Sequence, residues 1–319
     1  MIRGKKILLT GGAGFIGSHL AERLCMDNEV TVFDSLRRDA MKFLPEEVRG
    51  RVEFVQGDIL EEGAVGKALE GKDVAVHLAA IAGVSSVIKQ PTLVMKINLL
   101  AALRLYEACK DLGLERFVGF STSEVYGAHA SNVSEDSSTV QGPAGEPRWT
   151  YAVSKLAAEH AGLAYYQEHG LPFVSIRPFN VYGPRQVGTG AIRNFVAQAV
   201  KGLPLAINGS GEQTRAWCYI SDLVDGVLAA VEKTGAVGQI FNIGNPSASA
   251  TTKRLAEKIV ELAASKSKIV HKEIDYAEVE ERSPNITKAT KILGYEPKVS
   301  LNEGIASTIN WFRQYGSSI

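Results

Sequence analysis

The sequence predicts an α/β protein, a doubly wound parallel sheet followed by a smaller C-terminal lobe. Three observations predict it. Short apolar runs alternate with stretches of helical periodicity as far as about residue 178, the arrangement that gives parallel strands with helices on both faces. A glycine-rich turn, Gly11-Gly12-Ala13-Gly14-Phe15-Ile16-Gly17, separates the first apolar run from the first helical one. Beyond Gly183-Pro184 the pattern becomes irregular and rich in glycine, which marks a second unit.

In order, Lys6-Ile7-Leu8-Leu9 is a buried first strand over 6–10, and the apolar spacing from Phe15 to Leu24 is a helix over 15–26. Further strands are expected at 29–34, 52–56, 73–78, 116–121 and 173–177, with helices at 62–69, 98–112 and 150–169. The second unit is read as a helix at 190–201, an extended segment at 204–208, and helices at 221–233, 251–264 and 302–314. The expected domains are 1–178, with the chain returning to it at about 215–243, and 179–319 as the mainly substrate-binding lobe.

The glycine turn carries chemistry. Gly11 allows a tight turn, Gly14 lets backbone N–H groups approach a pyrophosphate, and Gly17 lets helix pack close to strand, while the helix N-terminus, with Phe15 and Ile16, favours negative charge. With Asp34 downstream, the turn is expected to form a Rossmann-type dinucleotide site, although the spacing is Gly-x-x-Gly-x-x-Gly. Asp34 ends the second strand about twenty residues beyond the glycines, where a carboxylate accepts both ribose hydroxyls of NAD and repels a 2′-phosphate. NAD is therefore expected rather than NADP, with Arg37 and Arg38 nearby as the residues that would accommodate a phosphate. Asp58-Ile59 follows the third strand, at the adenine, and His77-Leu78-Ala79-Ala80 ends the fourth beside the cofactor.

Tyr151 and Lys155 stand four residues apart, which on a helix puts both on one face, so that an ammonium favours the ionised form of a phenol. A phenol with an ordinary pKa of about 10 then serves as a base near neutral pH. The pair suggests a proton taken from an alcohol while its hydride passes to a nicotinamide.

Composition narrows the alternatives. Lysine plus arginine equals aspartate plus glutamate at 35 each, which gives no electrostatic footprint for nucleic acid or an acidic membrane. Cys25, Cys109 and Cys218 have no metal-ligand spacing, the 6 histidines form no ligand pair, and no metal is expected. The N-terminal apolar run is too short for a signal peptide and no later stretch suits a bilayer span, so a cytoplasmic setting is expected.

Five motifs occur in register: the glycine turn, Ser121-Thr-Ser-Glu-Val-Tyr-Gly127, Tyr151-x-x-x-Lys155, Arg177-Pro-Phe-Asn-Val-Tyr-Gly-Pro184, and Arg215-Ala-Trp-Cys-Tyr-Ile-Ser-Asp222. Together they resemble the extended short-chain dehydrogenase/reductase family, the nucleotide-sugar epimerases and dehydratases, across essentially the whole chain. The resemblance implies tightly held NAD, a nucleoside diphosphate sugar, with a UDP-sugar favoured, and a homodimer through a four-helix bundle. It makes Tyr151 the base, Lys155 its electrostatic partner, and Thr122 a hydrogen-bond partner of the sugar hydroxyl. Ser123 and Glu124 join them as catalytic candidates, Asn98 joins the cofactor set, and Asn180, Arg215 and Arg282 are substrate-binding candidates, the arginines for the diphosphate. The bundle would draw on the helices at 98–112 and 150–169, whose Leu99, Leu103, Leu105, Leu156, Leu163 and Tyr166 exceed what one face can bury. Trp149-Thr150 departs from the proline-containing sequence common before the tyrosine.

Oxidation at C4 leaves a ketone with three outcomes. Reduction on the other face gives a 4-epimer, loss of the C6 hydroxyl gives a 4-keto-6-deoxy sugar, and loss of carbon dioxide from a C6 carboxylate gives a pentose. Glu124 sets the choice, because Thr-Ser-Glu resembles GDP-mannose dehydratases and UDP-glucuronate decarboxylases, whereas Ser123 replaces the general-acid aspartate of glucose-type 4,6-dehydratases. The breadth of 4-epimerase activity ranks a UDP-sugar 4-epimerase first, then UDP-glucuronate decarboxylase, then 4,6-dehydratase. A non-catalytic NAD sensor is the alternative from another class, and Thr122, Tyr151 and Lys155 together argue against it.

Overall fold

The computed structural model describes residues 2–273 and 279–318. Its strands are β1 (Lys6–Thr10), β2 (Glu29–Asp34), β3 (Val52–Gln56), β4 (Val74–His77), β5 (Arg116–Phe120), β6 (His129–Val133), β7 (Phe173–Pro178), β8 (Val181–Tyr182), β9 (Leu205–Asn208), β10 (Thr214–Ala216), β11 (Cys218–Tyr219), β12 (Gln239–Ile243), β13 (Ser249–Thr251), β14 (Ile269–Lys272) and β15 (Glu281–Pro284). The helices are α1 (Phe15–Leu24), α2 (Glu46–Arg49), α3 (Ala64–Leu69), α4 (Val84–Lys89), α5 (Pro91–Met95), α6 (Ala101–Cys109), α7 (Thr150–His169), α8 (Ala191–Val200), α9 (Ile220–Glu232), α10 (Thr252–Leu262), α11 (Thr287–Leu293) and α12 (Leu301–Tyr315).

Seven parallel strands form the central sheet in the order β12-β7-β5-β4-β1-β2-β3. Both faces are covered, and the alternation within strands says how. Ile7 and Leu9, with Val74 and Val76, pack toward α1, α9 and α11, whereas Leu8 and Ala75 pack toward α3, α6 and α7. Near-continuous apolar runs are what a strand buried on both faces requires, and each fully buried Leu or Ile stabilises the fold by roughly 1.5–3 kcal/mol. A separate cluster, with Ile192, Phe195, Leu255 and Ile309 at its centre, joins α8, α10 and α12 into the C-terminal lobe.

Six of the seven central strands fall where the sequence puts them, whereas β12 lies in the returning segment 215–243, where no strand is expected from the sequence. The helical regions differ in part. The expected helix at 98–112 is the end of a longer helical run from Pro91, which widens into a π turn at Lys96–Leu100 and ends at Cys109. The widened turn buries Asn98, whose amide accepts from the Ile81 N–H and donates to the Ile81 carbonyl and the Ser154 hydroxyl. Helices α4, α5 and α11 are short, and no long apolar period marks them. A second sheet, β13-β10-β15-β6, was not expected at all. Its strands are three to five residues long and largely polar, so neither length nor alternation distinguishes them from loop.

Candidate active site

The site opens at the carboxyl ends of β1, β2 and β4, where the order of the sheet reverses. β1 runs into Gly11, whose φ of +71° favours glycine, and a Cβ there would stand 2.5 Å from the Ala79 nitrogen. At Gly17 a Cβ would stand 2.5 Å from the Gly12 Cα, so α1 packs against the turn only because the side chain is hydrogen. Along this turn a cleft of about 570 Å³ extends to Tyr151 and Lys155. Gly11, Gly14, Phe15, Ile16 and Gly17 line one end.

Asp34, Asp58, Ile59, Leu78, Ala79 and Ala80 line the same cleft, and so do Arg37 and Arg38. The Asp34 carboxylate accepts from the Ala13 N–H at 3.0 Å and the Leu36 N–H at 2.8 Å. Burial nevertheless pushes its pKa up. Asp58 accepts from the Leu60 N–H at 2.9 Å, which fixes its turn. Asn98 is not part of the lining: it lies behind it, holding Ile81, which is. His77 also lies beneath, with Nδ1 at 2.7 Å from the Thr10 hydroxyl, and burial lowers its pKa to about 3, so the ring is neutral.

Tyr151 and Lys155 occupy the first turns of α7, and both line the cleft. Lys155 donates to the Phe120 carbonyl at 2.6 Å, and burial lowers its pKa to about 8. Tyr151 departs from the expectation that Lys155 alone would favour phenolate. Burial first, and the Glu124 carboxylate second, push the phenol up, while a hydrogen bond with Thr122 and the charge of Arg282 oppose the rise. The ammonium is committed to a carbonyl at the strand end, and the cation that acts on the phenol here is a guanidinium.

That guanidinium comes from the second sheet. After β5 the chain makes a short turn, Ser123–Tyr126, in which the Thr122 hydroxyl accepts from the Glu124 N–H at 3.2 Å and Ser123 is buried. Glu124 Oε2 accepts from Arg148 at 3.2 Å, and Glu124 Oε1 stands 3.7 Å from an Arg282 terminal nitrogen. Both arginines are buried, at 7% and 5% exposure, while the Glu124 side chain keeps 21%. Arg282 also donates to the Gly127 carbonyl at 3.3 Å, but its Nε is buried with no hydrogen-bond partner. β15 carries it there by pairing with β6 on one side and β10 on the other. Arg148 was missed in the sequence, where a lone arginine before Trp149 carries no period or spacing of its own.

The remaining candidates, Arg215 and Asn180, make contacts of their own. Arg215, opposite Arg282 in the sheet, donates to the carbonyls of Thr214 at 2.8 Å and Val279 at 2.6 Å. Asn180 adopts φ of +37° at the end of β7, and its amide donates to the Ala216 carbonyl at 2.9 Å. Neither lines the cleft, and nor do Thr122, Ser123, Glu124, Arg148 and Arg282, which lie beside Tyr151 outside its lining.

A match to the family described as "NAD dependent epimerase/dehydratase family" covers residues 7–244. The chain belongs to this family. Among its relatives, a UDP-N-acetyl-alpha-D-glucosaminuronate decarboxylase of Bacillus cytotoxicus is 35% identical over 97% of this chain and 98% of its own. UDP-glucuronic acid decarboxylase 1 of Xenopus tropicalis is 36% identical, over 97% of this chain and 72% of its own. The structure of UDP-glucuronic acid 4-epimerase from Bacillus cereus, in complex with UDP-glucuronic acid and NAD, superimposes with a TM-score of 0.87 at 33% identity, covering 97% of this chain and 99% of that one. The chain is thus an enzyme of the NAD-dependent epimerase/dehydratase family, and its cofactor is NAD. The cradle fits: close backbone approach at Gly11 and Gly17, the α1 N-terminus, and a carboxylate at Asp34 are what a dinucleotide requires. Among the described residues no group of three or more His, Cys, Asp or Glu is arranged to hold a metal, and no helix is long and apolar enough to cross a membrane.

Proposed function

We propose that this enzyme decarboxylates a UDP-linked hexuronic acid after transient oxidation at C4. The observation that carries the proposal is the Glu124 carboxylate set beside Arg282 and against the Tyr151–Thr122 pair. A buried guanidinium with an unused N–H is a seat for a carboxylate, and a hexuronic acid supplies one at C6. Two of the relatives, by name, decarboxylate such sugars, which supports the same substrate class.

Bound NAD supplies the acceptor, and later the donor, of the C4 hydride. Tyr151 and Thr122, hydrogen-bonded to each other, meet the C4 hydroxyl; the phenol is held above its ordinary pKa, so Tyr151 takes that proton through its minor ionised form, which the positive charge of Arg282 favours. With the ketone formed, the C5–C6 bond breaks, carbon dioxide leaves, and the electron pair of that bond passes into the carbonyl. The negative charge then sits on O4, where the Tyr151 and Thr122 hydroxyls donate to it. Glu124, the partly exposed member, passes a solvent proton to C5. Reduction of the ketone, with the proton returned from Tyr151, ends the cycle with a net uptake of a proton and release of carbon dioxide.

A 4-epimerase acting on the same sugar has to keep C5 inert while the ketone exists, and a carboxylate at that carbon works against it. Epimerisation, first in the sequence ranking, stands as the second reading because a 4-epimerase of UDP-glucuronic acid is 33% identical. The test is incubation with UDP-glucuronate and its 2-acetamido counterpart in deuterated water. Carbon dioxide together with a pentose deuterated at C5 is expected. An unchanged carbon skeleton with a new retention time would establish epimerisation instead. Glu124→Gln should lower carbon dioxide release by about 100-fold, within the range of a lost general acid or base, while reduced cofactor persists.

The same proposal takes 179–319, apart from α9 and β12, as the lobe that holds the nucleotide sugar, with Asn180 and Arg215 on its side. It includes a homodimer through α6 and α7, where Val153 and Tyr166 of α7, and Leu100 at the end of the π turn before α6, remain exposed although Leu105 is spent on the chain's own core. The three cysteines are free and buried, which suits the cytoplasm.

A further inference from the structure

Arg148 has no part in the reaction just described, yet it makes the better-formed contact with Glu124. Its hydrogen bond to Oε2 is 3.2 Å, against 3.7 Å between Arg282 and Oε1. The mount is built for it. Residues Pro147–Trp149 form a tight helical turn directly before α7, so the arginine is three residues from Tyr151. The Trp149 ring lies under the guanidinium, 5.2 Å from its centroid. Trp149 is in turn pinned, donating to Glu146 at 3.0 Å and lying where a Cβ on Gly142 would come within 2.0 Å of its Nε1. Gln141, just upstream, donates to the Val125 carbonyl at 2.8 Å, tying this segment to the turn that carries Glu124.

We infer that Arg148 is the positioning residue of the decarboxylation step: by holding Oε2 it keeps Glu124 from closing onto Arg282, so that Arg282 stays open to the carboxylate of a C6-carboxylated sugar nucleotide. The inference rests on the decarboxylase reading. Its physics is a competition between two guanidiniums for one carboxylate. Without Arg148, Glu124 has a single buried cation to pair with, and the bidentate geometry that a guanidinium offers draws both oxygens to Arg282. The substrate carboxylate then has to displace Glu124, and Glu124 is drawn away from C5. A purely structural arginine would alter neither of these selectively.

The experiment uses Arg148→Met, which keeps length and removes charge, and Arg148→Lys, which keeps a cation without the fork. Each is compared with wild type for UDP binding by calorimetry, for KM and kcat of carbon dioxide release from UDP-glucuronate, and for reduced cofactor by absorbance. For Arg148→Met we expect unchanged UDP affinity, KM raised about 10-fold, kcat lowered about 10-fold or more, and reduced cofactor that accumulates because oxidation outruns decarboxylation. Arg148→Lys should recover most of the loss in kcat. Wild-type KM and kcat in Arg148→Met would overturn the role of Arg148 while leaving the decarboxylase reading in place. Equal losses in both variants with no reduced cofactor would also overturn it, as the mark of a structural part. No carbon dioxide from the wild-type enzyme with either uronate would overturn the reading and this inference together.

Discussion

The two ends of the cleft are made in different ways. At the glycine end, recognition is backbone geometry from one continuous stretch: Gly11 and Gly17 matter for what they lack, and Asp34 is held by the Ala13 and Leu36 N–H groups. Beside Tyr151, charge is collected from far apart in the chain, with Glu124 after β5, Arg148 before α7 and Arg282 on β15, none of which lines the cleft itself. Steric exclusion fixes a shape whatever binds, whereas balanced charges respond to a substrate that brings its own carboxylate. A fold that keeps the first end constant and varies the second is suited to changing the reaction while keeping the cofactor.

The comparison breaks most sharply at Tyr151, which both ends need. Tyr151→Phe removes the ionisable oxygen with almost no change in volume, so turnover should fall by about 10²–10⁴-fold, the usual worth of a general base. NAD and UDP should bind as before, since neither the glycine turn nor the C-terminal lobe is touched. Turnover within a few-fold of wild type would remove Tyr151 from the chemistry and leave the charge cluster without a reacting partner.

Next in size is a change confined to the glycine end. Gly11→Val places a branched side chain at φ of +71° with its Cβ 2.5 Å from the Ala79 backbone, a clash that no rotamer relieves. NAD affinity should fall by about 100-fold or more, equivalent to roughly 3 kcal/mol at 1.4 kcal/mol per factor of ten. UDP affinity should hold within a few-fold. A matching loss of UDP would mean that the two ends are one cooperative unit and not two separable ones.

The same contrast explains what the sequence makes legible. Strands β1, β2, β4, β5 and β7 are largely apolar runs buried on both faces, and a helix of twenty residues such as α7 has both period and length. Gly11, Gly17 and Asp34 are legible because a turn between strand and helix leaves few residue types that serve. Tyr151, Lys155 and Thr122 are legible as motif. Arg148 and the place of Arg282 are not, because each depends on which short strand or turn meets which: Glu281–Pro284 has no alternation to announce that it pairs with His129–Val133 and so delivers Arg282 to Glu124. The direction of the Tyr151 shift is hidden for a related reason, since spacing along a helix puts Lys155 on the same face without saying that its ammonium turns to the Phe120 carbonyl.

Lys155, where the two ends meet, gives the smallest effect on stability at neutral pH. Burial lowers its folded pKa to about 8 from the ordinary 10.5, and nothing nearby raises it again. Between those values the unfolded chain holds the proton more often than the folded one, so stability should rise with pH across that window; below about pH 8 the full penalty of a buried ammonium is present. At 1.36 kcal/mol per unit the penalty is about 3 kcal/mol, offset by the hydrogen bond to Phe120, whose loss leaves an acceptor unsatisfied at a cost of about 1–3 kcal/mol. Lys155→Met, which has no charge to bury, should therefore be nearly as stable as wild type, or slightly more so, in the absence of cofactor at neutral pH. The absolute difference is small, but its pH dependence is not. Denaturant unfolding of both proteins should show wild type gaining up to about 3 kcal/mol relative to Lys155→Met from below pH 8 to above pH 10.5, the whole of the relieved penalty. A difference that stays flat across that range would mean that Lys155 reaches solvent in the cofactor-free protein, and that the junction between the two ends is open until NAD closes it.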